Sequence, residues 1–167
     1  MRVLREIAGY VMGGVLFIGA MPTLMWLVSG CPKIWPVSVL QAVFVVLLIV
    51  VGLVMSVWAI VYMRRKGDGN PMDAFGHEVA PRTKHLMTDG PYRISRNPML
   101  TGVFLYLVGI VVWLASWKAV VFFVIFVLVM LLQVRSEEKR LRIDFGDDYN
   151  AYCQRTGRFF PKCRRAE

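Results

Sequence analysis

The residues able to do chemistry fall in two polar stretches, 64–98 and 135–167. The first holds His77 and then Lys84-His85-Leu86-Met87-Thr88-Asp89-Gly90-Pro91-Tyr92-Arg93-Ile94-Ser95-Arg96-Asn97-Pro98. Asp89-Gly90-Pro91 is a turn, because Gly permits unusual backbone angles and Pro fixes the next one. Asn97-Pro98 is a helix start: Asn caps free N–H groups and Pro suits the first helical position. The helix that begins there turns its positive dipole end to the loop, which suits an anionic ligand, although taken by itself the motif is better explained by simple capping. The second stretch opens with Arg135-Ser136-Glu137-Glu138-Lys139-Arg140-Leu141-Arg142. Glu138 and Arg142 are spaced i,i+4 and Glu137 and Arg140 i,i+3, so surface ion pairs of a few tenths of a kcal/mol account for both acids. Leu141, Phe145, Tyr149 and Tyr152 then recur at helical spacing, with Gly146 bending or breaking the helix. This reads as an amphipathic segment on a membrane interface, closed by Arg158-Phe159-Phe160-Pro161 as aromatic anchors. His77 and His85 are too few and too far apart for a metal site, so none is expected. No nucleophile–base pair or Gly-rich phosphate loop accompanies them.

The elements that must position these residues are apolar. Of 167 residues 57% are hydrophobic, against roughly 45–50% in ordinary globular proteins. The 19% that are charged must therefore be segregated. Residues 7 to 28 and 37 to 63 carry no charge, and between 97 and 134 only Lys118 interrupts. This excludes a soluble enzyme, a disordered chain and a disulfide-framework domain. A crossing needs about 18 or more apolar residues. Ile7–Val28 and Val37–Met63 each suffice, the latter with length to tilt. Met99–Val134 is too long for one crossing and is read as a hairpin, Met99–Ala115 and Ala119–Val134, turning at Ala115-Ser116-Trp117-Lys118.

The expected fold is thus an all-α integral membrane protein of four transmembrane helices, including a short C-terminal helical hairpin, with a cytoplasmic amphipathic helical tail. Two regions follow: residues 1–63 with two spans, and 64–167 with the cytoplasmic loop, the hairpin 99–134 and the tail. Lys33 and Lys118 fall on one side of such a bundle, and the other 18 of the 20 basic residues on the opposite side with all eleven acids. Because cytoplasmic loops carry the excess of Lys and Arg, both termini and any site in the polar stretches are expected in the cytoplasm. The net charge of +9 then faces anionic lipid rather than nucleic acid.

Finer features are few. Cys31, Cys153 and Cys163 form no CxxC, consistent with a reducing inner face. Val28-Ser29-Gly30-Cys31 has the form of a lipoprotein acceptor site, but the run before it is long and further spans follow, so the first span is read as retained. Gly9-Tyr10-Val11-Met12-Gly13 is a GxxxG suited to close helix packing. Gln41 and Ser56, the polar features of the second span, should hydrogen-bond within the bundle.

In this order, flanking a short hairpin, the two polar stretches resemble the isoprenylcysteine carboxyl methyltransferase and phospholipid methyltransferase superfamily. The matching text is Leu86-x-Thr88-x-Gly90-Pro91-Tyr92-Arg93-x-x-Arg96-Asn97-Pro98-x-x-x-Gly102. After the hairpin come Glu137-Glu138-x-x-Leu141-x-x-x-Phe145-Gly146-x-x-Tyr149-x-x-Tyr152 and Arg158-Phe159-Phe160-Pro161. The resemblance covers about 77 to 162 and implies transfer of a methyl group from S-adenosylmethionine to a small lipophilic or lipidated acceptor. A carboxylate acceptor, as in isoprenylcysteine O-methylation, is the first reading. A phospholipid amine is the second, and a non-catalytic membrane binding or assembly subunit the third; a nicotinamide-dependent membrane reductase of related architecture is a further rival.

By position, the resemblance places cofactor contacts at His77, Lys84, His85, Leu86, Met87, Tyr92, Asn97, Pro98, Met99, Leu100 and Glu137. The carboxylate of Glu137 would face the cofactor's cationic end. The carboxyl methyltransferases have His-Pro where this chain has Asn97-Pro98, and Tyr where it has Leu100. Their substrate-contacting arginine falls on Gln133, and Arg135, about 200° further round an ideal helix, does not replace it. Arg96, before the capped helix start, is therefore expected at the cytoplasmic rim, either orienting an anionic acceptor by paired hydrogen bonds or anchoring to lipid headgroups.

Overall fold

The computed structural model describes residues 13–32, 38–66 and 85–162, together with the backbone of 73–74 and 77–78. The described chain is helical. Helix α1 covers Val15–Val28, π-helical over Val15–Ala20. The rest are α2 (Val39–Lys66), α3 (Pro91–Ile94), α4 (Pro98–Leu114) and α5 (Trp117–Arg155). The strand residues form a minimal antiparallel pair, β1 (Asp73–Ala74) with β2 (His77–Glu78). The expected hairpin is present: α4 and α5 are joined at Ala115-Ser116, with Ala115 in the left-handed region at φ 45°.

Among the described residues, α2 and α5 are long and apolar enough to cross a membrane; α1 and α4 are apolar but shorter. Only 22% of the most apolar window of α2 is buried, and 17% of that of α5, so neither is the wrapped core helix of a soluble protein. On α2, Phe44, Leu47, Val50 and Val54 all point outward, as do Val124, Ile125 and Leu128 on α5. Continuous apolar surface of this extent marks contact with another apolar phase. Most of the GxxxG expected to pack the first span lies outside the described residues.

The chain divides into two compact units, 1–54 with 102–131 and 55–101 with 132–167. In the first, α2 and α4 run antiparallel. Gln41 Nε2 donates to the Val112 carbonyl at 3.1 Å, Gly109 faces Val45 and Ile49, and Gly52 faces Gly102 and Tyr106. The contact at Gly52 is backbone on backbone: a Cβ there would lie 2.5 Å from Tyr106 N and 2.6 Å from Gly102 O. Small residues allow such an approach where lipid offers no hydrophobic drive to association. Phe104 meets Phe123 and Phe126 edge-on with ring centroids 6.2 and 6.0 Å apart, and Phe17 meets Phe126 at 6.1 Å.

The second unit holds the polar stretches. Tyr92, Tyr149 and Tyr152 form its buried core, with Tyr62, Met63, Leu86, Met87, Leu141, Phe145 and Cys153 packed against them. The Leu141–Phe145–Tyr149–Tyr152 stripe, expected on a membrane interface, is therefore an interior face. Its amphipathic spacing reports burial against the 85–97 loop, which the stripe alone does not distinguish from burial in lipid. Gly146 kinks α5 into two helical stretches: its φ of 51° and ψ of −122° are non-helical and suit glycine, and the second stretch runs on to Arg155. Ser56 Oγ donates to the Met99 carbonyl at 3.0 Å. Both polar side chains expected to bond within the bundle do so.

Candidate active site

Two segments distant in sequence are sewn together by backbone groups. Arg96 N donates to the Gly157 carbonyl at 2.9 Å and Asn97 N to the Arg158 carbonyl at 3.2 Å. The Arg158 carbonyl also accepts from Ser95 Oγ at 3.0 Å and Asn97 Nδ2 at 3.2 Å. Thr101 Oγ1 lies 2.9 Å from the Asn97 carbonyl and 3.3 Å from that of Phe159. Arg158-Phe159-Phe160-Pro161 is thus a strap across the start of α4. The expectation of two aromatic anchors fails to see this, because the strap is made by main-chain carbonyls that no side-chain pattern reports. Of its two aromatics, Phe159 is half-buried and Phe160 is strongly exposed, at 76%.

Beneath the strap sits a carboxylate between two arginines. Glu138 is 4% exposed. Its Oε1 accepts from Arg96 Nη2 at 2.7 Å and Arg158 Nε at 3.0 Å, and its Oε2 from Arg158 Nη2 at 2.6 Å. Burial pushes the carboxyl up, but the Arg158 hydrogen bond and the charges of both arginines outweigh it and hold it below the usual carboxylate range. The bond from Glu138 in turn raises Arg158. This corrects the reading of Glu138 as a surface residue paired along its own helix.

It also corrects the expectation for Arg96. Its Nη2 is held by Glu138, while Nη1 lies 3.4 Å from the Cys153 and Thr156 carbonyls. The guanidinium is 11% exposed and does not stand as an open fork at a rim.

A cleft opens beside this triad, entirely within the second unit. Of the residues singled out from sequence, His85, Leu86, Met87, Tyr92, Arg96, Asn97 and Glu137 line it. Met63, Val134, Glu138, Leu141, Phe145, Tyr149 and Tyr152 complete the wall. Its cavity volume is about 70 Å³, and the whole space free of atoms, solvent at the mouth included, is about 530 Å³.

Pro98, Met99 and Leu100 form the first turn of α4 but are not in the wall, and Gln133 is half-buried one residue before the wall residue Val134. Of His77 only the backbone is described, paired with Ala74, and Lys84 lies outside the described residues. Among the described residues no group of three His, Cys, Asp or Glu could hold a metal.

Two donors in the cleft wall, Arg96 Nε and the Tyr149 hydroxyl, are buried without a hydrogen-bond partner among the described residues. Burial, and then the Glu138 charge, push the Tyr149 hydroxyl far above its ordinary value; burial does the same for Tyr152, whose hydroxyl donates to the Tyr92 carbonyl at 2.6 Å.

A helical chain with two membrane-length helices and a cleft built from two separated polar motifs matches one known family. The phospholipid methyltransferase family model aligns with residues 40–148, about two thirds of the chain. The chain belongs to the phospholipid methyltransferase family, within the superfamily that the two motifs resemble. That family implies a methyltransferase associated with membranes. No curated protein matches the chain.

Proposed function

We propose that the chain is a four-span membrane methyltransferase that moves a methyl group from S-adenosylmethionine to a carboxylate on a small lipophilic acceptor, with both termini and the cleft on the cytoplasmic side. The observation that carries this reading is the cleft itself. It draws His85–Met87, Tyr92 and Asn97 from one motif and Glu137 from the other into one wall, and the family match spans both. The basic-residue asymmetry supports the sidedness.

The residues present fit the cofactor's chemistry. Leu86, Met87, Tyr92 and Phe145 offer an apolar and aromatic side to a base. Glu138 is engaged by its two arginines, and Glu137, the other carboxylate in the wall, is the one proposed to face a cationic centre. Bound S-adenosylmethionine supplies a methyl on a sulfonium: the acceptor oxygen's lone pair forms the new O–CH3 bond while sulfur keeps the electrons of the old one. The chain's own work is to align the acceptor with that methyl and to exclude water. An ionised carboxylate needs no general base at neutral pH, and the Glu138 carboxylate, clamped by two arginines, is not built to be one.

The family's name favours a second reading, transfer to a phospholipid amine. The two differ in their product. Detergent-solubilised full chain would be given methyl-labelled S-adenosylmethionine and a membrane lipid extract. A methyl ester releases its label as volatile methanol in mild alkali; a methylamine keeps it. We expect alkali-labile label. Alkali-stable label would move the acceptor to an amine, and no incorporation would remove the enzymatic reading.

A further inference from the structure

From Tyr149 and Arg96 we infer that the cleft floor is a carboxylate site: the Tyr149 hydroxyl and Arg96 Nε–H together hold an oxygen of a bound ligand's carboxylate. The inference rests on the methyltransferase reading and assigns a contact within it. Tyr149 is 1% exposed, lines the cleft, and has no hydrogen-bond partner for its hydroxyl among the described residues. Arg96 lines the same cleft, and its other two nitrogens are already engaged by Glu138 and two carbonyls, so Nε is the donor left over. A buried donor without an acceptor is costly, and two in one wall are a standing deficit that an acceptor oxygen removes.

The ligand's character follows from its surroundings. Both groups are donors, and the tyrosine, raised by burial, stays protonated throughout the neutral range. Glu138 offsets one of the two arginine charges, so the triad carries a net positive charge that suits an anion. The cleft's cavity volume, about 70 Å³, admits a group of carboxylate size.

A carboxylate reaches this cleft from either of two sources, the amino-acid end of the cofactor or the lipophilic acceptor. Tyr149→Phe tests both, because it deletes the hydroxyl and keeps the ring. S-adenosylmethionine and decarboxylated S-adenosylmethionine would be titrated into the full-length wild type and the variant in detergent. Thermal unfolding of each protein without ligand and the acceptor KM at saturating cofactor would also be measured.

If the cofactor is the source, the variant loses more than about tenfold in affinity for S-adenosylmethionine and binds the decarboxylated form as wild type does. If the acceptor is the source, cofactor affinity holds and the KM for a carboxylate acceptor rises by a similar factor. In both cases the unliganded variant melts no lower than wild type, since it has lost a hydroxyl with nothing to bond. A lower melting temperature would mean that the hydroxyl bonds the chain itself, through the neighbouring Cys153 thiol, and would overturn the inference. So would unchanged binding and unchanged KM. A wild type that binds no S-adenosylmethionine overturns the methyltransferase reading, and this inference with it.

Discussion

Arg96 and Arg158, 62 residues apart, close on the same buried carboxylate: Glu138 Oε1 accepts from Arg96 Nη2 at 2.7 Å and Oε2 from Arg158 Nη2 at 2.6 Å. This three-residue clamp ties the loop before α4, the middle of α5 and the C-terminal strap into one body, and the cleft is its open side.

Glu138→Gln should therefore act on stability. It leaves two guanidinium groups facing a neutral amide in a site that excludes water. Breaking a buried pair costs about 3–5 kcal/mol, and with Arg158 a third exposed we expect the lower end. The full chain in detergent should melt roughly 5–10 °C lower than wild type. A change within about 1 °C would show that the clamp contributes little.

The same carboxyl sets a pH dependence. Its value in the folded chain is lowered, so its stabilising contribution is complete above the unfolded value, about 4.3, and is lost as pH falls through the folded one. Wild type should lose melting temperature on acidification below about pH 4, and Glu138→Gln should lose less over that range. Parallel curves for the two proteins would place the acid sensitivity elsewhere.

Much of this architecture is legible in sequence because it rests on local patterns. Apolar length gave α2 and α5, Asn97-Pro98 gave the start of α4, and the polar break after Leu114 gave the hairpin turn. The clamp was not legible. Glu138 has basic residues at surface ion-pair spacing on its own helix, and nothing local distinguishes it from Glu137; only the folded chain brings Arg96 and Arg158 to it. The Leu141–Tyr152 stripe was seen as a face but assigned the wrong neighbour, since helical periodicity reports that a face is covered and not by what.

Gly52 tests the helix packing of the first unit. A methyl group there meets the backbone of Gly102 and Tyr106, neither of which can rotate away. Gly52→Ala should cost about 1–3 kcal/mol, seen as a lower melting temperature in detergent. Gly14, whose Cβ direction meets no described residue within 4 Å, is the control and should accept Ala with little change.

Sidedness has its own measurement. Cys31 is exposed, and in sequence it lies two residues before Lys33, the one charged residue between Glu6 and Arg64. With both termini in the cytoplasm, a membrane-impermeant maleimide should label Cys31 in intact cells without permeabilisation. Labelling that requires permeabilisation would place the cleft on the opposite side of the membrane from its proposed cofactor.

The central claim is that the cleft of the second unit holds S-adenosylmethionine with Glu137 at the cofactor's cationic end. Calorimetric titration of S-adenosylmethionine into detergent-purified full chain, wild type and Glu137→Gln, measures it most directly. Saturable binding to wild type is expected, with an affinity more than about tenfold weaker in Glu137→Gln, a loss of at least about 1.4 kcal/mol. Absence of binding to wild type, or equal affinities in the two proteins, would contradict it.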